Sequence, residues 1–144
     1  MAEWTLNCDG ASKGNPGPSG IGGVLRETDG DACFEYSEDI GRATNNIAEY
    51  KALLRGLELA VEKKVQNIQI FSDSELMVKQ INKEYLVRDP VLKILHASAC
   101  DLLGRIDRWR ISHVRRERNK TADGLASGAA TKPRAAKCRG PLKK

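Results

Sequence analysis

Strict alternation opens the chain. Trp4, Leu6 and Cys8 fall on one side of a two-residue repeat and Thr5, Asn7 and Asp9 on the other, the signature of a half-buried strand. A Gly- and Pro-punctuated loop is expected from Gly10 to Gly20. A second strand (21–27) then meets a third (32–40) across Thr28-Asp29-Gly30-Asp31, whose Asp-Gly step between apolar runs predicts a hairpin. The period next lengthens: Ile47, Tyr50, Leu54, Leu57 and Val61 step by three and four, which predicts a helix over 46–64. A short strand over 67–72 ends at Asp73, and a second helix spans 74–82. Asp89-Pro90 supplies an N-cap and a first-turn proline for a third helix, with Val91, Ile94, Leu95, Leu102, Leu103 and Ile106 as its apolar face. Trp109, Ile111 and His113 alternate on a fifth strand, and a last helix begins near Lys120, carrying Ala122, Leu125, Ala126 and Ala129. The order β-β-β-α-β-α-α-β-α predicts one α/β domain with a mixed sheet.

Composition agrees with a globular domain and adds a charge asymmetry. The 144 residues are 40% hydrophobic and 30% charged, and no apolar run approaches the roughly 18 residues that a membrane-spanning helix requires. The start carries acid where a secretory signal would carry base, so a cytoplasmic protein is expected. Cys8, Cys33, Cys100 and Cys138 are scattered without zinc-ligand spacing and are expected to be reduced. The net charge of +5 is concentrated in residues 132–144, where Lys132, Arg134, Lys137, Arg139, Lys143 and Lys144 stand without an acid. The expected division is therefore a folded domain over 1–131 and a flexible basic tail over 132–144. Such a tail is either solvated or attracted to phosphate.

Four acids fall at element ends. Asp9 closes the first strand, Asp73 closes the fourth, Glu49 opens the long helix and Asp123 opens the last one. Ligands of open α/β sheets bind at strand ends. Acids gathered there raise one another's pKa, and a pair of hard divalent cations would relieve the repulsion. Each acid also has a local role to play: Asn46 and Glu49 fit a capping box, Asp123 suits a helix N-terminus, and Asp9 and Asp73 suit turns. Periodicity alone does not bring the four together.

Local sequence does. D-G-A-S-K-G-N-P-G-P-S-G-I-G (Asp9 to Gly22), T-N-N-I-A-E-Y-K-A-L (Thr44 to Leu53), S-D-S-E (Ser72 to Glu75) and N-K-T-A-D-G-L-A (Asn119 to Ala126) resemble, in order, the four signature blocks of type 1 ribonuclease H. The resemblance covers about residues 4 to 130. It implies the ribonuclease H-like fold, a five-stranded mixed sheet with three antiparallel strands followed by parallel additions and flanked by helices. It also implies an endonuclease that cuts the RNA strand of RNA–DNA hybrids, leaving 5′-phosphate and 3′-hydroxyl ends. By family pattern Asp9 would bridge two Mg²⁺ ions, with Mn²⁺ able to substitute. Asp73 would join it on the water-activating ion, and Glu49 and Asp123 on the ion at the leaving oxygen.

For the substrate, the resemblance implies that Asn15, Asn45, Asn46 and Glu75 lie along the minor groove and that Arg42 and Thr44 grip a DNA-strand phosphate. Glu75 stands where many members have glutamine. His113 has the spacing of the family's mobile histidine, yet shares strand parity with Trp109 and Ile111. The stretch from Val87 to Arg108 is too short for the basic, tryptophan-bearing projection of some members, so Arg115, Arg116, Arg118, Lys120 and the tail are expected to supply phosphate contacts instead. A monomer is expected. Two rival readings stay open: a same-fold nuclease that also cuts double-stranded RNA, and a catalytically weak hybrid-binding module.

Overall fold

A computed structural model describes residues 2–131 and 137–138. Strands β1 (Trp4–Ser12), β2 (Gly17–Glu27) and β3 (Cys33–Ala43) form an antiparallel meander. Helix α1 (Asn45–Glu62) leads to β4 (Asn67–Ser72), which lies parallel to β1. Helices α2 (Glu75–Ile81) and α3 (Pro90–Leu103) precede β5 (Arg108–His113), which lies parallel to β4. A 3₁₀ turn (Arg116–Asn119) runs into α4 (Lys120–Thr131). The five expected strands and their order are all present. A two-residue β6 (Lys137–Cys138) adds to the β3 edge, giving the order β5-β4-β1-β2-β3-β6. The rest of the expected flexible tail lies outside the described residues.

Two expectations are corrected. The segment from Gly10 to Gly20 is mostly strand: Gly10 pairs with Ile21, Ala11 with Gly20 and Ser12 with Ser19, leaving only a tight turn between β1 and β2. Its glycines serve close approach more than looseness, since a Cβ on Gly17 would lie 2.2 Å from the Lys13 carbonyl oxygen.

The apolar face of α3 is the expected one at Leu95, Leu102, Leu103 and Ile106, which are buried or packed against the core, but not at its first turns. Leu92, Ala99 and Leu103 are buried, whereas Val91 and Ile94 are 48% and 68% exposed. The helix is apolar on several sides, and packing against α1 selects the stripe holding the small Ala99, which admits a near neighbour. Helix α1 lies between the sheet and α3, so its buried set (Ala48, Tyr50, Ala52, Leu53, Gly56, Leu57, Leu59, Ala60) is wider than one helical stripe. Leu6 and Cys8 of β1, Leu25 of β2 and Ile70 of β4 meet it on one face of the sheet, and α4 crosses β1, β2 and β3 on the other. No helix among the described residues is long and apolar enough to cross a membrane.

Candidate active site

The acid site starts from strand register. Cys8 of β1 is paired with Ser72 of the parallel β4, so the next residues, Asp9 and Asp73, emerge side by side at the carboxyl ends of neighbouring strands. Ser72 accepts from the Ser74 N–H at 3.1 Å, and Ser74 caps α2 by accepting from the Met77 N–H at 3.3 Å. The chain thereby turns sharply around Asp73.

Glu49 is delivered by a close helix–strand contact. A Cβ on Gly10 would sit 2.3 Å from the Ala48 backbone carbon, so only glycine lets α1 press so near to β1. With that gap closed, the Gly10 N–H donates to Glu49 Oε1 at 3.0 Å. The expected capping box at Asn46 and Glu49 is not formed. Thr44 is the N-cap, accepting from the Ile47 N–H at 3.2 Å, and this places Glu49 beyond the first turn of α1. A capping hydroxyl of this kind contributes about 1 kcal/mol.

Asp123 arrives by the same device. Gly22, paired with Asp9 across the sheet, faces α4 so closely that a Cβ would lie 2.5 Å from the Ala126 nitrogen. Asp123 in the first turn of α4 lines one cleft of about 340 Å³ with Glu49, Gly10, Lys13, Asn45, Asn46, Ser74, Arg116 and Ser127.

Asp9, Glu49 and Asp73 each offer a carboxylate oxygen within 4.8 Å of the others. Asp9 is 1% exposed, and the buried oxygens of Asp9 and Asp73 make no hydrogen bond among the described residues, Asp73 having only an ion pair to Arg116. Burial, then the charge of Glu49, then the adjoining carboxyls of Asp123 and Asp73 push the Asp9 carboxyl up to about 11. Burial and Asp73 raise Glu49 to about 8, opposed by the Gly10 N–H, by Asp9 and by Arg116. Three hard carboxylate oxygens this close together form a donor set suited to divalent cations.

The remaining predicted residues divide. Asn45 and Asn46 line the cleft, and Asn15 Oδ1 accepts from the Asn45 N–H at 3.0 Å, which fixes the β1–β2 turn to the start of α1. Arg42 is exposed near the end of β3. Glu75 bonds Lys79 Nζ at 3.2 Å and is not a cleft-lining residue, although its neighbour Ser74 is. His113 is exposed at the end of β5 and lines a separate groove with Val114, Arg115, Glu117 and Arg118.

Arg116 was expected only among phosphate-gripping cations, yet its Nε stands 3.4 Å from Asp73 Oδ2. The charges of Asp73, foremost, and Asp123 raise its pKa. Asn119, also not foreseen as a site residue, is 2% exposed and bonds both Asn7 and the Cys8 carbonyl. Its place four residues before Asp123 was the available signal.

A family model described as "Reverse transcriptase-like" matches residues 7–129. An N-terminal RNase H domain from Mycobacterium tuberculosis is 37% identical, with a TM-score of 0.88, over 91% of this chain and 95% of that one. LC11-RNase H1, solved in complex with an RNA/DNA hybrid, is 37% identical, with a TM-score of 0.82, over 89% of this chain and 96% of that one. The chain belongs to the type 1 ribonuclease H family. Among curated members, the Ribonuclease HI of Halobacterium salinarum is 45% identical over 121 residues, 84% of this chain. The chain spans 61% of the length of that ribonuclease H. The expected fold is thus the family's own.

Proposed function

We propose that this chain is an endoribonuclease that hydrolyses the RNA strand of RNA–DNA hybrids, with residues 1–131 as the catalytic domain. One observation carries the reading: the buried oxygens of Asp9 and Asp73, none of them hydrogen-bonded among the described residues, gathered with Glu49 at the ends of two parallel strands. The hybrid bound to LC11-RNase H1 and the name of the halobacterial relative support the substrate.

In this reading Asp9 would hold two Mg²⁺ ions together with the other acids, Asp73 serving the ion that would activate the attacking water and Glu49 and Asp123 the ion that would stabilise the leaving 3′-oxygen. When bound, the pair supplies Lewis-acid stabilisation of both oxygens and eases deprotonation of the water. Mn²⁺ fits the same oxygen donors. Water adds to the phosphorus, the bond to the 3′-oxygen breaks, and the products carry 5′-phosphate and 3′-hydroxyl ends.

The chain's own groups orient the duplex. Asn45 and Asn46 stand on the cleft wall, where amides can both donate to and accept from a ribose 2′-hydroxyl. Asn15 anchors the same wall through Asn45. Arg42 and Thr44, around the start of α1, hold a phosphate of the DNA strand, and Glu75 stands at the outer margin. The basic tail adds sequence-independent attraction. The reading is of a cytoplasmic protein acting as a monomer.

Three end-labelled duplexes (RNA–DNA, RNA–RNA and DNA–DNA) are the test, each with Mg²⁺, with Mn²⁺ and with chelator, for the parent and for Asp123→Asn. Metal-dependent cutting confined to the RNA of the hybrid, and lost in the variant, is the expected result. Cutting of RNA–RNA would widen the substrate. Binding without cutting under every metal would overturn the enzyme in favour of a binding module.

A further inference from the structure

The side of the sheet that α4 crosses carries a set of cations that the acid cleft does not use. Strand parity sets which residues share it. Ile68 and Ile70 of β4 pair with Trp109 and Ile111 and face the core with Leu6, so Arg108 and Arg110, opposite Asn67 and Gln69, project from the other side. Asn7 and Val24 belong to that side too, and with Arg26 of β2, Arg118 of the 3₁₀ turn and Lys120 of α4 they line a polar hollow of about 240 Å³.

Arg26, Arg108, Arg110, Arg118 and Lys120 are all exposed, and none makes an ion pair among the described residues. Glu117 is the one acid lining the hollow. Charges on an edge strand also discourage edge-to-edge pairing, which would account for Arg108 and Arg110. It does not account for Arg26, because β2 is an interior strand, nor for Arg118 in a turn. Uncompensated like charges gathered on one side of a domain repel one another and lack an internal partner. A polyanion supplies one.

The hollow adjoins the acid site. Asn7 lies two residues before Asp9 on the same side of β1, and the turn from Arg116 to Asn119 separates the two, with Arg116 in the cleft and Arg118 in the hollow. We propose that this side is a second nucleic-acid-binding surface, which takes the phosphate backbone of the duplex continuing past the acid cleft. The inference rests on the hybrid-cutting reading for the identity of the duplex. It predicts that longer hybrids bind with more phosphate contacts than the cleft alone supplies.

The test uses the full chain carrying Asp123→Asn, with Mg²⁺ present, and fluorescence anisotropy on two labelled hybrids of about one and about three helical turns, roughly 10 base pairs per turn. Each phosphate contact contributes about 0.9 to the slope of log affinity against log salt. The three-turn hybrid is expected to show the steeper slope. Adding Arg26→Gln, Arg108→Gln and Arg110→Gln should lower that slope by about two to three, and lysines at the same positions should restore it. Equal slopes for the two hybrids, or an unchanged slope in the glutamine variant, would overturn the proposal. Cleavage of the one-turn hybrid by the parent chain checks the ribonuclease reading separately. Failure there leaves the salt comparison standing.

Discussion

The side-chain amide of Asn119 donates to the backbone carbonyl of Cys8 at 2.9 Å, tying the helix that carries Asp123 to the strand that carries Asp9. The same side chain accepts from Asn7 Nδ2 at 3.0 Å, so its carbonyl oxygen is used as well as its amide. This clasp joins the start of α4 to β1, and the Gly22 contact seats the same helix on the neighbouring β2.

Asn119→Ala should therefore act on stability and rate together. It removes a bond to the Cys8 carbonyl and leaves the Asn7 amide without its Asn119 partner, a loss of about 1–3 kcal/mol. The melting temperature should fall, and hybrid cleavage should lose kcat with little change in KM, since Asp123 is displaced while the duplex-facing residues remain. An unchanged melting temperature would show that the clasp contributes nothing.

One crowded and one open glycine give an opposed pair of variants. Gly10→Ala forces a methyl to within 2.3 Å of the α1 backbone and should cost about 1–3 kcal/mol or more. It should also impair cleavage, because Glu49 moves with the helix. Gly128→Ala, in α4 with nothing near the added carbon, should instead stabilise by about 0.4–1 kcal/mol. Chemical denaturation of both variants decides; a stabilised Gly10→Ala would contradict the contact.

Acid repulsion predicts the pH dependence of the metal-free protein. Asp9 and Glu49 have folded pKa values raised to about 11 and about 8, well above their values in an unfolded chain. Their stabilising contribution is complete below about pH 4 and is lost as pH rises toward the folded values. In chelator, Asp9→Asn should melt higher than the parent, by a margin that widens between about pH 5 and pH 8. Mg²⁺ should raise the parent more than the variant. A margin that narrows with rising pH would reverse the sign and refute the assignment.

Position separates His113 from Arg116. His113 is exposed and lies in a groove apart from the acids, so His113→Ala should keep most of the cleavage rate. Arg116 stands against Asp73 and lines the acid cleft, so Arg116→Ala should lower the rate substantially. Single-turnover cleavage of one hybrid by both variants compares them directly. A large loss in His113→Ala with a normal Arg116→Ala would exchange their roles.

Much of this was legible in the chain itself because its determinants are local. Alternation marks β1 and β5, three- and four-residue steps mark α1, and Asp89-Pro90 starts α3. Block order carries the family and names the four acids. Other features were settled by contacts between distant segments. Val91 and Leu92 are equally apolar, and only the approach of α1 decides that Leu92 goes inside. The glycines of the first block read as a loop, yet they belong to strands pressed against α1 and α4. Thr44 takes the cap that Asn46 and Glu49 were suited to share, which frees Glu49 to accept from Gly10. Hydrophobic period and capping preference reach no further than a few residues along the chain. The register that sets Asp9 beside Asp73, and the turn that brings Arg116 to them, depend on how whole elements stack, which only the folded chain decides.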